Sequence, residues 1–203
     1  YKPSQRISIY GNYAESLQPG AIAPATSGGS PILNAGEVLE PFRGQQVELG
    51  VKYDDGGLGA GLALFQLEKP NTIVENQVFT DSGEQRNRGI EASVYGQLLE
   101  GLRLIGGGTY LDAELTKTQD GVDDGNTPTG APEFQVNLNL EWDLRAVPGL
   151  TLDARAIYTD SQYIDTANTL TIPSWTRFDL GARYASTVAR RPVTLRARVE
   201  NVA

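Results

Sequence analysis

Between Phe134 and Trp142 the chain alternates without a break. Phe134, Val136, Leu138, Leu140 and Trp142 hold one parity, and Gln135, Asn137, Asn139 and Glu141 hold the other. A period of two belongs to a strand, because successive side chains leave on opposite faces. Both aromatics stand near the ends of the apolar row, where a membrane-crossing strand meets its two interfaces. The opposite row is too polar for a dry core, in which every amide and carboxylate would need a partner. Water in a barrel lumen, or a polar plug, would satisfy it.

The alternation recurs along the chain. Residues 5–15 carry Ile7, Ile9 and Tyr13 on one face. Residues 45–53 set Val47, Leu49, Val51 and Tyr53 against Gln46, Glu48 and Lys52, and Asp54-Asp55-Gly56-Gly57 is a tight-turn signal. Residues 58–67 form the third strand, with Leu62 and Leu64 on one face and a parity that blurs at Phe65 and Leu67. The fourth, residues 86–98, places Ile90, Ala92, Val94 and Leu98 outward and Glu91, Ser93, Tyr95 and Gln97 inward. The fifth, residues 102–115, follows a Glu100-Gly101 turn and aligns Leu102, Leu104 and Tyr110. The sixth is Phe134–Trp142, ended by the Pro-Gly turn in residues 145–149. The seventh carries Leu152, Ala154, Ala156 and Tyr158, and the eighth Phe178, Leu180, Ala182 and Tyr184. A turn through Arg190-Arg191-Pro192 opens the ninth, with Val193, Leu195, Ala197 and Val199.

The connections alternate as well. Residues 16–41, 68–85, 116–130 and 160–173 read as long polar or Gly- and Pro-rich loops after the odd strands, and short turns follow the even ones. Outer-membrane barrels have this asymmetry; a soluble sandwich has no reason to keep it. The expected fold is all-β, an antiparallel up-and-down transmembrane β-barrel. An odd strand count does not close a bacterial barrel, and an open sheet in lipid would leave its edge groups unpaired. The 203 residues are therefore expected to be a partial barrel of about nine strands, beginning and ending inside a larger fold.

Composition narrows the chemistry. With no cysteine and no histidine, disulfides, thiolate metal sites and a Ser-His-Asp triad cannot be built from this chain alone. A net charge of −8 argues against a general nucleic-acid partner. Mean hydropathy of −0.31 and the lack of a long apolar run exclude a transmembrane helix but not a barrel, whose apolar face hides in the alternation.

Several stretches resemble one family. Gly50-Val51-Lys52-Tyr53 with Ala63-Leu64-Phe65-Gln66-Leu67-Glu68-Lys69-Pro70-Asn71, and then Arg88-Gly89-Ile90-Glu91, resemble consecutive barrel strands of TonB-dependent ferric-siderophore receptors. Gly108-Thr109-Tyr110-Leu111-Asp112-Ala113-Glu114-Leu115 is similar to a frequent strand end of that family. Ile172-Pro173-Ser174-Trp175-Thr176-Arg177-Phe178-Asp179-Leu180-Gly181-Ala182-Arg183-Tyr184 resembles its penultimate-region strand, and Val199-Glu200-Asn201-Val202 the start of a segment near the barrel's end. The matches cover nearly the whole chain in order. The resemblance implies that residues 1–203 are the C-terminal portion of a barrel of roughly 22 strands around a plug, with the plug domain and the first barrel strands absent. It also implies an outer-membrane receptor importing ferric siderophores with energy from the TonB complex, engaged through the missing N-terminal part. No cofactor is implied, since the siderophore holds the iron; the other partner is outer-membrane lipid. A passive porin or adhesin barrel is the alternative, and an outer-membrane hydrolase a third.

Within that frame Phe65, Phe79, Tyr163 and Trp175 lie on or beside the long loops, with Gln162 and Asn168 as hydrogen-bond donors. These six are the candidate ligand contacts. The aromatics could equally form the outer girdle, Trp175 above all. The inward charges Asp153, Arg155, Arg177, Asp179, Arg183, Arg196, Arg198 and Glu200 read either as a wall guiding an anionic chelate or as a paired lumen ladder. Asp120-Gly121-Val122-Asp123-Asp124-Gly125-Asn126 departs from an EF-hand at Val122 and reads as a solvated tip, so no metal site and no catalytic residue is expected.

Overall fold

The structure, a computed structural model, describes residues 1–202. Among the described residues thirteen strands occur in chain order: β1 (Ile7–Gln18), β2 (Thr26–Ser27), β3 (Ser30–Pro31), β4 (Phe42–Asp54), β5 (Leu58–Glu75), β6 (Val78–Leu99), β7 (Leu102–Lys117), β8 (Phe134–Asp143), β9 (Leu150–Thr159), β10 (Gln162–Tyr163), β11 (Thr171–Ile172), β12 (Trp175–Val188) and β13 (Arg191–Val199). Nine of them form one antiparallel sheet in the order β1-β4-β5-β6-β7-β8-β9-β12-β13. β2–β3 and β10–β11 are small separate hairpins inside the first and last long connections.

Register explains the alternation. Ile9 pairs with Val51, Val51 with Leu62, Leu62 with Ala92, Ala92 with Gly108, Gly108 with Val136 and Val136 with Tyr158. The neighbouring row runs Tyr10, Gly50, Ala63, Glu91, Thr109, Gln135, Thr159 and Trp175. One face is thus mainly apolar and the other mainly polar from β1 to β12, and β13 continues both rows, Ala197 beside Ala182 and Arg196 beside Arg183. The polar face curls around an open concavity of about 810 Å³, lined among others by Tyr10, Lys52, Glu91, Asn137, Arg155 and Arg198. On the apolar face Leu49, Leu64 and Leu180 stay more than half exposed. So large an apolar surface needs cover from outside the sheet. The buried hydrophobic residues lie mainly at the end with the long connections: Ala23, Ile32 and Phe42 at the first connection, Ile73, Ala113 and Leu115 on β5 and β7.

The expected nine strands are present, with two connections corrected. Residues 68–85 are not a loop: β5 continues to Glu75, β6 starts at Val78, and Asn76–Gln77 alone turn the chain. Both turn residues have positive φ, 51° and 65°, the geometry whose twist suits adjacent antiparallel strands. Ile73, Val74, Val78 and Phe79 on either side are strand formers, and they outweigh the polar residues around them. The last turn likewise falls at Ala189–Arg190, with φ 49° and 64°, and not at Arg190-Arg191-Pro192. The Asp54–Gly57 turn is closed by its own carboxylates. Asp54 accepts from the Gly56 amide at 2.7 Å, and Asp55 from Leu58 at 2.8 Å and Gly57 at 3.0 Å. Those amides, Leu58 foremost, hold the Asp55 carboxyl below the usual range.

Candidate functional site

The connections β1–β4, β5–β6, β7–β8 and β9–β12 emerge at one end of the sheet and are bonded to one another in sequence. The Leu33 amide donates to the Gln77 carbonyl at 2.8 Å. The side-chain amide of Asn34 donates to the Phe79 carbonyl at 2.9 Å and accepts from the Phe79 amide at 2.8 Å. Lys117 pairs with Glu75 at 2.9 Å, joining the β5–β6 hairpin to the end of β7. Asn168 then repeats the arrangement of Asn34: it accepts from the Thr127 amide and donates to the Thr127 carbonyl, both at 2.8 Å. Asn126 donates to the Thr166 carbonyl at 2.8 Å, and the Gly130 amide to the Tyr163 carbonyl at 2.9 Å. An unbroken chain of bonds therefore runs around this rim.

The six candidate contact residues do not converge on one pocket. Phe65 and Trp175 both lie on the polar, concave face, since Phe65 shares the parity of Ala63 and Trp175 that of Arg177. Trp175 therefore does not point outward as a girdle residue would. Five strand steps separate the two rings, about 24 Å along the sheet. Phe65 lies over Gly89, where an added Cβ would come within 2.5 Å of the ring. Phe79 is near the tip of the β5–β6 hairpin, opposite Val74. Gln162 and Tyr163 form β10, paired with Ile172 and Thr171. Asn168 has φ 56° and its amide is engaged with Thr127, so it is committed to the neighbouring loop. Asp165 closes the same hairpin. It accepts from the Thr169 hydroxyl at 2.7 Å and the Leu170 amide at 2.8 Å, and these bonds keep its carboxyl below the usual range.

Two features of the rim carry no mark in the sequence pattern. Asn34 has no signal, because its partner lies 45 positions away. The long connections also expose aliphatic side chains, Ile22, Leu33, Val38, Ile164 and Leu170 among them, beside the aromatics expected there. The acidic tip serves its own turn: Asp124 accepts from the Thr118 amide at 2.7 Å and hydroxyl at 2.8 Å. Among the described residues no group of three or more His, Cys, Asp or Glu side chains could hold a metal ion.

On the concave face the charges form a paired ladder. Arg177 meets Asp179 and Glu200 at 2.7 Å each, and Arg198 meets Asp153 at 2.8 Å. Arg103, not among the inward charges expected from the sequence, holds Asp143 at 2.5 Å and Glu141 at 3.0 Å. Asp179 is only 1% exposed and also accepts the Asn201 amide at 2.9 Å. The partly exposed pairs that Arg103 and Arg198 make contribute at most about 1 kcal/mol each, so they order the wall more than they stabilise it. Arg155 bonds Asn137 at 3.2 Å.

Residues 1–202 match the family described as TonB dependent receptor-like, beta-barrel. The ferrichrome receptor FcuA of Yersinia enterocolitica is 40% identical over 203 residues, 99% of this chain and 27% of FcuA. The probable TonB-dependent siderophore receptor PiuA of Acinetobacter baumannii is 33% identical over 199 residues, 91% of this chain and 26% of PiuA. Among solved structures, that of BauA, the ferric preacinetobactin receptor from Acinetobacter baumannii, superposes with a TM-score of 0.89 at 42% identity, covering 99% of this chain and 30% of that one. The chain thus spans between a quarter and a third of the length of these relatives. Members of the family are outer-membrane β-barrel proteins. The nine-stranded meander, apolar on one face and polar on the other, agrees with that likeness from end to end, and the chain belongs to the TonB-dependent receptor family as part of its β-barrel.

Proposed function

We propose that this chain forms part of the wall and extracellular rim of an outer-membrane receptor that takes up ferric siderophores, with TonB-dependent energy coupled through parts outside the chain. Residues 1–203 take the C-terminal portion of the barrel in this reading, the apolar face lies against outer-membrane lipid, and the siderophore carries the iron. The observation that carries the proposal is the near-complete match to FcuA, a receptor named for a ferric chelate, across the strands that place the bonded rim. BauA, at similar identity, is named for a different chelate, so the likeness points to ferric chelates as a class. Phe79, Gln162, Tyr163 and Trp175, with Phe65 farther along the wall, are the proposed ligand contacts of this part of the receptor, and Asn168 holds the loop between them.

Charge refines the class. Residues 19–41, 68–85, 116–133 and 160–174 carry twelve carboxylates and two lysines, a net −10 against −8 for the whole chain. A rim of that sign favours chelates without net negative charge. The test is saturable binding and uptake of radiolabelled iron by cells carrying the intact receptor, with a neutral ferric tris-hydroxamate and a trianionic ferric tris-catecholate as probes. Uptake should require TonB, and the neutral chelate should bind more tightly at low salt. Tyr163→Ala should weaken its binding by about 1–2 kcal/mol. Non-saturable, TonB-independent passage would instead identify a passive pore.

A further inference from the structure

We infer that Asn34 and Asn168 are positioning residues that join the three long connections and the β5–β6 hairpin into one mechanical unit, so that a ligand touching one of them orders all four. The inference rests on the uptake reading for its ligand, and on geometry alone for the coupling. Each asparagine uses both halves of its side-chain amide, one to accept a backbone N–H and one to donate to the carbonyl of the same residue. This reproduces the two-bond ring of an antiparallel pair between segments that are not strands of one sheet. The two clamps do not touch each other. They are linked through Lys117 and Glu75, which bridge the hairpin that Asn34 holds to the strand leading into the loop that Asn168 holds.

Asparagine suits both places. A longer or shorter side chain would not match the spacing of one peptide unit. Asn168 also sits at φ 56°, a conformation asparagine tolerates better than most residues. Loops of this kind otherwise open independently, at small free-energy cost. With both clamps closed, opening one connection must break bonds to the next, and the rim responds as a whole.

The experiment uses the intact receptor in lipid nanodiscs. Asn168→Gly and Asn168→Asp both tolerate the positive φ; the first removes the clamp, and the second keeps only the acceptor for the Thr127 amide. Asn34→Ala removes the other clamp. Without ligand, Asn168→Gly should speed amide hydrogen exchange in residues 116–130 and 160–173 and also, across the Lys117–Glu75 bridge, in residues 76–79. Exchange in the centres of β7 and β8 should stay unchanged, showing that the fold is intact. Faster exchange confined to the two loops that Asn168 bonds directly would overturn the inference. With ferrichrome as the probe, each single variant should bind about tenfold more weakly, the loss expected for a pair of hydrogen bonds. Asn168→Asp should fall between Asn168→Gly and the unaltered protein. The double variant should resemble either single one, because one opened clamp already frees the rim. A loss near the hundredfold product of independent sites, or unchanged affinity in all variants, would also overturn it. Absence of ferrichrome binding to the unaltered receptor would count against the uptake reading alone, since the exchange pattern decides the coupling without ligand.

Discussion

At the scale of single residues, the face a side chain takes matters more than its type. Leu138 stands between Gly106 and Ala156 on the apolar face, and Asn139 between Ile105 and Arg155 on the polar one. Leu138 is also the middle of the Phe134–Trp142 row. Leu138→Arg should therefore destabilise the intact receptor by roughly 2–4 kcal/mol, and Asn139→Arg by much less. Refolding titrations of the two variants in lipid bilayers measure the difference; equal costs would mean that the faces are reversed. Parity alone makes this distinction legible in the sequence of β8. It is blurred in β5, because Phe65 and Leu67 are apolar at inward positions. The fold supplies the reason for Phe65: its ring covers Gly89 on the next strand, as Tyr10 covers Gly50 and Tyr95 covers Gly59. Cross-strand aromatic-on-glycine packing leaves no mark in one strand's own alternation. The clamps are hidden for a related reason, since Asn34 and Asn168 find partners 45 and 41 positions away.

At the scale of elements, the β5–β6 hairpin is the largest departure from expectation. Strands of 18 and 22 residues exceed the 9–11 or so that cross a bilayer, so the hairpin stands well clear of the membrane. Its turn uses Asn76 and Gln77 in the left-handed region. Asn followed by Gly is the strong signal for such a turn; glutamine in the second place hides it, and the polar flanks then read as loop. Other turns announce themselves with glycine or proline, as in Asp54–Gly57 and residues 145–149, whereas Ala189–Arg190 contains neither and its position is shifted for the same reason. Glutamine at φ 65° carries a cost of about 1 kcal/mol that glycine avoids. Gln77→Gly should therefore stabilise the hairpin by about that amount, slowing amide exchange in residues 73–80 several-fold. Faster exchange would mean that the Gln77 side chain contributes something to the turn that its backbone does not reveal.

At the scale of the whole molecule, the sheet has no dry interior between two layers. Its polar face looks into a concavity and its apolar face looks outward, while β1 and β13 each have a single partner in the nine-stranded sheet. The height of the outward apolar row follows from chain geometry. From Phe134 to Trp142 it covers about 27 Å of strand, a little over 20 Å of vertical span at a tilt of about 40°. Set in a bilayer, the two aromatic ends would act as floats at a fixed separation, and the barrel wall as a gauge of hydrocarbon thickness. In thin bilayers both rings reach their interfaces together. In thick ones the hydrocarbon must thin around the barrel or the polar ends must enter it, at a cost that grows with each ångström of mismatch. Urea unfolding of the intact receptor across phosphatidylcholines of increasing chain length should therefore show greatest stability among the shorter lipids, and a steady rise towards the longest would contradict this span. The same span would distribute the receptor unevenly in a membrane of varied thickness, gathering it where the lipid is thinnest.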